Sequence, residues 1–360
     1  MMQSSQGSAE RDQNRPASPS PSTGPASSGG TPTFSVIICT RDRGPELERC
    51  LGALSQQRYP NFDVMVVDSA PQDTAAFEVA RRWGVVYVME PRAGVSRARN
   101  LGVRASTGDI VAFLDDDAVA DPEWLRSLAA QFNDPRVAAV AGRIQELRAP
   151  GQSPDEVGEF FTLDCLGEER RVFDRENPQW FEIASFGGIG QGSNMAFRRS
   201  ALWSLAGFDH RLGRGAPITG GEEHYAFFRL IEQSARIVYA PDATVYHPYP
   251  ADLQALRKYH LQHLAAATGY LTFLFFQQPN YRRRLVRYVF EAMRGVRRTW
   301  RPANQRSPSG LVSRWRRSFA LLVGPILYLR TCFERRVAVR DLCPDTLHAG
   351  FGSDNARDGR

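Results

Sequence analysis

Residues 108–125 read GDIVAFLDDDAVADPEWL, an apolar run that ends directly in Asp115, Asp116 and Asp117. The run IVAFL is short and continuous, which predicts a buried strand. Clustered carboxylates raise one another's pKa unless a cation neutralises them. Mn²⁺ or Mg²⁺ suits such a cluster, because it binds carboxylate oxygen and leaves positions for water and substrate phosphates. The alternative is a solvated turn in which one aspartate caps a helix that begins near Pro122.

The sequence upstream of this cluster alternates short apolar runs with helical patterns. The predicted strands and helices are, in order, 34–39, 45–57, 62–67, 74–83, 85–89 and 94–105, and the strand 109–114 follows them. Such alternation predicts an α/β fold in which helices flank a parallel sheet. Ligands of these sheets lie beyond the carboxyl ends of the strands. Thr40, Asp68 and the aspartate cluster all follow strands, so we expect them to converge on one crevice.

The pattern downstream of the cluster is weaker, and between 143 and 192 it is mixed and rich in loops. Strands are predicted at 193–197, 237–240 and 244–246, and helices at 199–206 and 222–234. After Pro250 long helical patterns take over. The predicted organisation is a Ser/Pro/Gly-rich disordered tail over 1–33, a main domain over 34–250, a helical region over 251–340 and a flexible tail over 341–360.

Composition restricts the class of protein. The chain has 360 residues and is 42% hydrophobic, which is enough for a sizeable core. Its five cysteines are scattered without the paired spacing of zinc or redox sites, which predicts reduced thiols and a cytoplasmic protein. The N-terminal residues lack the pattern of a signal peptide, and no run reaches the roughly 18 apolar residues typical of a membrane span. A transmembrane anchor is therefore not expected.

The charge is distributed unevenly. The whole chain carries +6, but residues 251–340 alone carry +15, so the rest carries −9. A basic, aromatic-rich region predicts an anionic partner, either a membrane surface or a nucleic acid. The apolar stretch 319–329, interrupted at Gly324 and Pro325 and flanked by arginines, together with Trp300 and Trp315, favours the surface of an anionic membrane.

The alternative for this basic region is a helical subdomain that covers the sheet, with its arginines in solvent. Nucleic-acid-reading motifs are missing, so no nucleic-acid partner is expected. The protein is predicted to lie in the cytoplasm, associated peripherally with the inner face of the membrane.

A set of motifs in a fixed order resembles family 2 glycosyltransferases. These motifs are SVIICTRDR (35–43), VVDSA (66–70), RAGVSRARNLG (92–102), GDIVAFLDDDAVADPEWL (108–125), GSNMAFRRSAL (192–202), LAGFD (205–209), GGEEHYAFFRL (220–230) and VYHP (245–248). The resemblance covers roughly residues 34–250. It implies a GT-A-type fold, a nucleotide-sugar donor, most often with uridine, and an inverting transfer to a glycan or lipid-linked acceptor, as in cell-envelope glycan synthesis.

The resemblance also implies roles for individual residues. The nucleotide-sugar-binding residues would be Thr40, Arg41, Asp68, Arg97, Asn100, Asp115 and Asp116. Of these, Asp68 would contact the base and Asp115 the ribose or sugar. Asp117 would hold the divalent metal, and His247 would be a second metal ligand. The plain alternatives are a turn residue at Thr40, a strand-end cap at Asp68 and a structural histidine. For Arg99 the expectation is a side chain that faces solvent.

Glu223 is the predicted catalytic base. The family usually has Gly-Glu-Asp here, whereas this chain has Glu223 in place of the aspartate, one methylene longer. It would take the proton from the acceptor hydroxyl in a single displacement that inverts the anomeric centre. The alternative is that Glu222 and Glu223 only complement the dipole of the helix that they open.

Two other classes of function remain open from the sequence. One is a nucleotidyltransferase on a similar fold, although residues 39–44 only faintly resemble a basic glycine-rich phosphate loop. The other is a non-catalytic membrane-binding protein with a degenerate transferase domain. The intact acids Asp115, Asp117 and Glu223 argue against it.

Overall fold

The computed structural model describes residues 31–147, 157–294 and 308–333. Within these residues the strands are β1 (Phe34–Thr40), β2 (Phe62–Ser69), β3 (Val86–Glu90), β4 (Ile110–Asp115), β5 (Val119–Ala120), β6 (Val137–Glu146), β7 (Arg171–Phe173), β8 (Asn194–Arg198) and β9 (Arg236–His247). They form one sheet in the order β3-β2-β1-β4-β8-β6-β9-β5, with β7 paired to β9.

The α-helices of the described residues are α1 (Gly44–Leu54), α2 (Ala75–Trp83), α3 (Val95–Ala105), α4 (Trp124–Gln131), α5 (Trp180–Ser185), α6 (Arg199–Ser204), α7 (Glu222–Glu232), α8 (Leu253–Gln277), α9 (Arg282–Met293) and α10 (Arg314–Phe333). One core, on one face of the sheet, includes side chains of α1, α2 and α4. A second core, on the other face, includes side chains of α3 and of α5 to α8. The predicted α/β class is confirmed.

The N-terminal half of the sheet is parallel and brings the polar strand ends together. β1 pairs in parallel with both β2 and β4, and β2 pairs in parallel with β3. The register places Thr40 beside Asp68 and Cys39 beside Asp115. Because these strands end at one edge, their carboxyl termini open onto the same space.

The C-terminal half departs from the predicted parallel arrangement. β8 is antiparallel to both of its neighbours, β4 and β6, so the sheet is mixed. The two predicted short strands at 237–240 and 244–246 are one strand, β9, which pairs with β6 across an irregularity at Gly142. A Cβ at Gly142 would lie 2.2 Å from the Ala243 carbonyl oxygen, so only glycine fits this close approach.

The helices after residue 250 pack closely against one another. α10 continues through Gly324 and Pro325, the two residues that interrupt the apolar stretch 319–329 in the sequence. A Cβ on Gly324 would meet Thr268 Oγ1 at 2.0 Å and Gly269 N at 2.3 Å, so this glycine lets α10 cross directly against α8. No helix of the described residues is both long enough and apolar enough to span a membrane.

Some predictions fall outside the described residues. These are the tails 1–33 and 341–360, apart from residues 31–33, and also Trp300. The boundary between a main domain and a helical region at residue 250 stays a prediction.

Candidate active site

A cleft of about 530 Å³ lies at the carboxyl edge of the sheet. Its lining includes the ends of β1 and β4, the start of α7 and the end of β9. Of the predicted site residues, Thr40, Arg41, Asp115, Asp116, Glu223 and His247 line it. The convergence expected from the strand ends therefore extends to residues more than 100 positions further along the chain.

The three consecutive aspartates make different sets of contacts. Asp116 and Asp117 share Arg43, whereas Asp115 and Asp117 share His247. Asp116 accepts a hydrogen bond from Thr40 Oγ1 at 2.7 Å and another from Arg43 Nη1 at 2.9 Å. Arg43 Nη1 also lies 2.9 Å from Asp117 Oδ2. Burial raises the pKa of Asp116 despite these contacts. Arg43 therefore neutralises part of the aspartate cluster and fixes one oxygen of Asp117.

Asp115, Asp117 and His247 form a group that could hold a metal ion. One ligand atom from each lies within 4.8 Å of the others. His247 Nε2 is 3.0 Å from Asp117 Oδ1 and 3.5 Å from Asp115 Oδ2. Two carboxylates and an imidazole are ligands that Mn²⁺ accepts, so the donor set fits a divalent ion. Asp115, which the sequence predicts to face the sugar, belongs to this group as well.

The orientation of His247 supports the same interpretation. Its Nδ1 lies 2.7 Å from the Pro248 carbonyl oxygen, which directs Nε2 toward the carboxylates. Burial acts to lower the pKa of His247, but Asp115 and Asp117 outweigh it and raise that pKa to about 10. Burial acts to raise the pKa of Asp115 and Asp117, but contacts with His247 lower both. Without a metal, His247 is therefore protonated and serves as the counter-cation.

Glu223 reaches the cleft from the first turn of α7. The helix starts after Gly221, whose φ of 90° lies in the left-handed region and whose Cβ, if present, would be 2.7 Å from the Tyr270 ring. Both constraints require glycine there. Removal from water raises the pKa of Glu223, and Arg99 partly opposes this. Its Oε2 is buried and accepts no hydrogen bond from the described residues. A carboxylate with these properties suits a general base.

Arg99 is buried, so the expectation that it faces solvent is wrong. Only 4% of its side chain is exposed, and Nη1 donates to Glu222 Oε1 at 2.8 Å. Nη2 donates to the Gly192 carbonyl oxygen at 3.0 Å and lies 3.9 Å from Asp115 Oδ1. The sequence suggested solvent because arginine is rarely buried unless paired, and its partner Glu222 is 123 residues away.

Asp68 lies next to the cleft but does not line it, although Ser69 does. Tyr87 donates a hydrogen bond to Asp68 Oδ2 at 3.0 Å, whereas Oδ1 is buried and receives none from the described residues. Burial raises the pKa of this carboxyl. Arg41 lines the cleft with an exposed side chain, 3.5 Å from Asp42.

Arg97 and Asn100 are not among the residues that line the cleft. The Asn100 amide is fully buried and makes a two-way contact with the Phe208 backbone, donating to its oxygen at 2.9 Å and accepting from its nitrogen at 2.8 Å. It also contacts His210 at 2.9 Å. These hydrogen bonds give the amide a structural role, and the predicted role of Asn100 in nucleotide binding stays a prediction. Arg97 is half-buried on the first turn of α3, beside Gly94.

The sequence missed several cleft residues. Arg43 stands in the quoted motif 35–43, but its bridge between two aspartates depends on the tertiary fold. Phe161 lies in the region 143–192, where the pattern was mixed. Tyr259 and His263 come from α8, beyond the predicted boundary at residue 250. Their periodic apolar neighbours indicated only a helix.

Several known proteins to which this chain is similar are glycosyltransferases. Residues 35–206 match the sequence profile described as Glycosyl transferase family 2. A pre-mycofactocin glycosyltransferase of Mycobacterium tuberculosis is 32% identical over 244 residues, which are 66% of this chain but only 46% of that protein. A glucosyl-dolichyl phosphate glucuronosyltransferase of Haloferax volcanii is 27% identical over 226 residues, 59% of this chain and 68% of that one.

One solved structure resembles the fold over most of its length. The mannosyltransferase PcManGT of Pyrobaculum calidifontis, in complex with GDP-Man and Mn²⁺, aligns over 86% of this chain and 89% of its own, with a TM-score of 0.52. Its sequence identity is 17%, so the likeness concerns the fold alone.

Proposed function

We propose that this chain, whose residues 35–206 match the glycosyltransferase family 2 profile, transfers a sugar from a nucleoside-diphosphate donor to a hydroxyl of a glycan or lipid-linked acceptor. The observation that carries this proposal is that a possible metal-binding group and the partly buried acid Glu223 converge on one cleft. Asp115 and His247 line the cleft together with Glu223, and Asp117, which does not line it, lies within the same possible metal-binding group.

The metal-binding group is assigned to the donor diphosphate. A divalent ion, Mn²⁺ or Mg²⁺, held there would offset the negative charge that develops on the leaving diphosphate. Arg43 binds Asp117 Oδ2, so Asp117 Oδ1 stays directed toward His247. PcManGT is named as a complex with Mn²⁺, which agrees with this assignment.

Asp68 is assigned to the nucleotide base, together with Thr40 and Arg41 at the strand end. One oxygen of its carboxylate accepts a hydrogen bond from Tyr87, and the other is buried and receives none from the part of the chain that the structure describes. A buried acceptor of this kind favours a ligand N–H group. Uracil offers one such donor at N3. Guanine would present two neighbouring donors, and only one oxygen of Asp68 lacks a hydrogen bond from the described residues. We therefore propose a UDP-sugar.

Glu223 is assigned as the general base. It would remove the proton from the acceptor hydroxyl as that oxygen attacks the anomeric carbon opposite the diphosphate. One displacement forms the new glycosidic bond and breaks the bond to the phosphate oxygen, so the configuration inverts. The proton moves from the acceptor oxygen to a Glu223 carboxylate oxygen.

The acceptor is assigned to the end of the cleft that α8 lines. Phe161 and Tyr259 pack edge to face with ring centroids 5.2 Å apart, and Tyr259 lies 4.0 Å from the His263 ring. Aromatic rings of this kind suit the apolar face of a sugar. The Haloferax relative acts, by its name, on a glucosyl-dolichyl phosphate. We propose a peripheral protein on the inner face of the membrane that meets a lipid-linked acceptor in cell-envelope glycan synthesis.

The test is calorimetric titration of the full chain with UDP, GDP and dTDP, with and without Mn²⁺. Metal-dependent binding of UDP that is lost in Asp117→Ala and kept in Asp242→Ala would support the donor site, since Asp242 is exposed on β9. Circular dichroism checks that both variants fold. If no nucleotide binds to the wild type, the proposed donor site is wrong.

A further inference from the structure

The helix α10 has two apolar faces, and only one of them is covered. Ala320, Gly324 and Tyr328 are buried on the side that packs against α8. On another side, large apolar residues stand in solvent, each between 55% and 68% exposed. We call these the α10 stripe: Trp315, Phe319, Leu322, Ile326 and Leu329. Their spacing of four, three, four and three residues places them along one line of the helix.

The stripe is large for a surface that faces water. Single exposed apolar residues are common, but a continuous line of five marks an interaction site. Phe276 of α8 is also exposed and stacks on Tyr328 with ring centroids 5.1 Å apart, so the apolar surface continues beyond the stripe.

Arginines surround the stripe. Arg314, Arg316 and Arg317 stand at the start of α10, and Arg330 stands near its end. Within the described residues of α8 to α10, the only acidic residue is Glu291. An apolar line bordered by cations matches a surface that is apolar inside and anionic at its edge.

A small cavity lies beside the Trp315 end of the stripe. It has a volume of about 300 Å³ and is lined by Arg257 and Leu261 of α8 and by residues 311–313, Trp315 and Arg316. Within the described residues, neither Arg257 nor Arg316 forms an ion pair, and no lining residue is acidic. The Arg316 guanidinium lies over the Trp315 ring at 5.5 Å from its centroid. Its N–H groups, those of Arg257 and the Ser313 hydroxyl are donors for a phosphate.

From these features we propose that α10 lies in the plane of an anionic phospholipid bilayer. The α10 stripe enters the acyl boundary, and the cavity between Arg257 and Arg316 takes the phosphate of one lipid headgroup. A second copy of the chain is the less suitable occupant, because pairing two such faces would bring arginines against arginines. The inference deepens the proposed function by naming the lipid surface. Vesicle binding is measured independently of donor binding and sugar transfer.

The experiment is flotation of the full chain with vesicles of phosphatidylcholine, alone or mixed with phosphatidylglycerol. We expect binding to the mixed vesicles and little to phosphatidylcholine alone. Phe319→Ser/Leu322→Ser should weaken binding by about 10²-fold to 10⁴-fold, because each of the two apolar side chains contributes about 10-fold to 100-fold on burial. The matched control is Val86→Ser/Met89→Ser, because both residues are exposed on β3, and it should bind like the wild type.

A second pair of variants tests the headgroup cavity. Arg257→Gln/Arg316→Gln should weaken binding to the mixed vesicles by roughly 5-fold per arginine, which is about 1 kcal/mol for each cation near an anionic surface. The control Arg49→Gln/Arg81→Gln removes two exposed charges on α1 and α2 and should change binding little. Equal losses in both charge variants would overturn the assignment of the cavity and leave only a general attraction.

Two further results would overturn the proposal as a whole. One is a wild-type chain that stays with the unbound fraction on mixed vesicles at low salt. The other is a dimer in size-exclusion chromatography that dissociates in Phe319→Ser/Leu322→Ser, since the stripe would then be an interface between copies. Glycerol phosphate without a bilayer should not bind detectably in calorimetry, which separates a lipid headgroup from a free phosphate.

Discussion

Arg99 donates a hydrogen bond to Glu222 at 2.8 Å and thereby joins α3 to the first turn of α7 at the wall of the cleft, which both residues line. The pair is buried, and the next residue after Glu222 is the proposed base. A buried ion pair contributes little net stability, but loss of one partner leaves an uncompensated charge. The main effect of the Arg99–Glu222 pair is to fix the position of the start of α7.

The first prediction concerns stability. Arg99→Met should lower the free energy of unfolding by about 3–5 kcal/mol, because Glu222 is left buried without its cation. Arg99→Met/Glu222→Met should recover part of that loss. Urea denaturation followed by circular dichroism measures both. If the double variant is as unstable as the sum of the two single variants, the two side chains are not coupled.

The second prediction concerns the pH dependence of transfer. Removal from water raises the pKa of Glu223 and Arg99 lowers it. The base works only when ionised, so turnover should fall as the pH falls through a value above the ordinary 4.5. Arg99→Gln should move this acidic limb to higher pH, and Arg99→Lys should restore much of it. If the acidic limb of the pH profile is unchanged in both variants, Arg99 does not affect the pKa of Glu223.

The third prediction concerns the base itself. Glu223→Gln should lower kcat by about 10²- to 10⁴-fold, the usual contribution of a general base. Donor binding, measured by calorimetry with UDP and Mn²⁺, should change little. The matched control Glu78→Gln, on the exposed face of α2, should leave both unchanged. Undiminished turnover in Glu223→Gln would show that another group takes the proton.

The fourth prediction concerns the metal. His247 has its pKa raised to about 10 and must lose a proton before Nε2 can bind a cation. Mn²⁺ affinity should therefore rise as the pH is raised above neutral. His247→Gln should remove this dependence and weaken binding at least about 10-fold at neutral pH. Electron paramagnetic resonance of free Mn²⁺ measures both without substrate, and a pH-independent wild type contradicts the assignment.

The fifth prediction concerns the nucleotide. Asp68→Ala should weaken UDP binding by about 1.5–3 kcal/mol, because a hydrogen bond to a charged acceptor is lost. Tyr87→Phe removes only the neighbouring donor and serves as the comparison, with a smaller effect expected. If the wild type binds GDP more tightly than UDP, the nucleobase of the donor is guanine and not uracil.

The sequence predicted the first half of the fold closely, and in the second half it predicted β8, α6, α7 and the two pieces of β9 but missed β6, β7 and α5. β1 to β4 are continuous apolar runs separated by helical patterns, so local periodicity was sufficient there. β6 was missed because VAAVAG is rich in alanine, which favours no strand by itself. It is a strand because it is buried between β8 and β9, which pair with it from elsewhere in the chain.

Some residues of the candidate site were predicted from local patterns, and others only from the resemblance to a family. The positions of Thr40, Asp115 and Asp116 followed from where strands end. Motif resemblance supplied Glu223 and His247, which no local pattern would have joined to them. Arg99 was predicted to be exposed because its partner is remote in sequence. Asn100 lies beside it, but its amide is committed to the Phe208 backbone.

The close crossing of α8 and α10 at Gly269 and Gly324 fixes the position of α8 relative to α10. His263 of the cleft lies six residues before Gly269 on the same helix, which is about 9 Å along its axis. With α10 on the lipid surface, the reaction centre would stand at a set distance above the headgroups. Transfer would then depend on the distance between the acceptor hydroxyl and the bilayer. A hydroxyl held too close to the bilayer, or too far from it, would not reach Glu223 whatever its sugar.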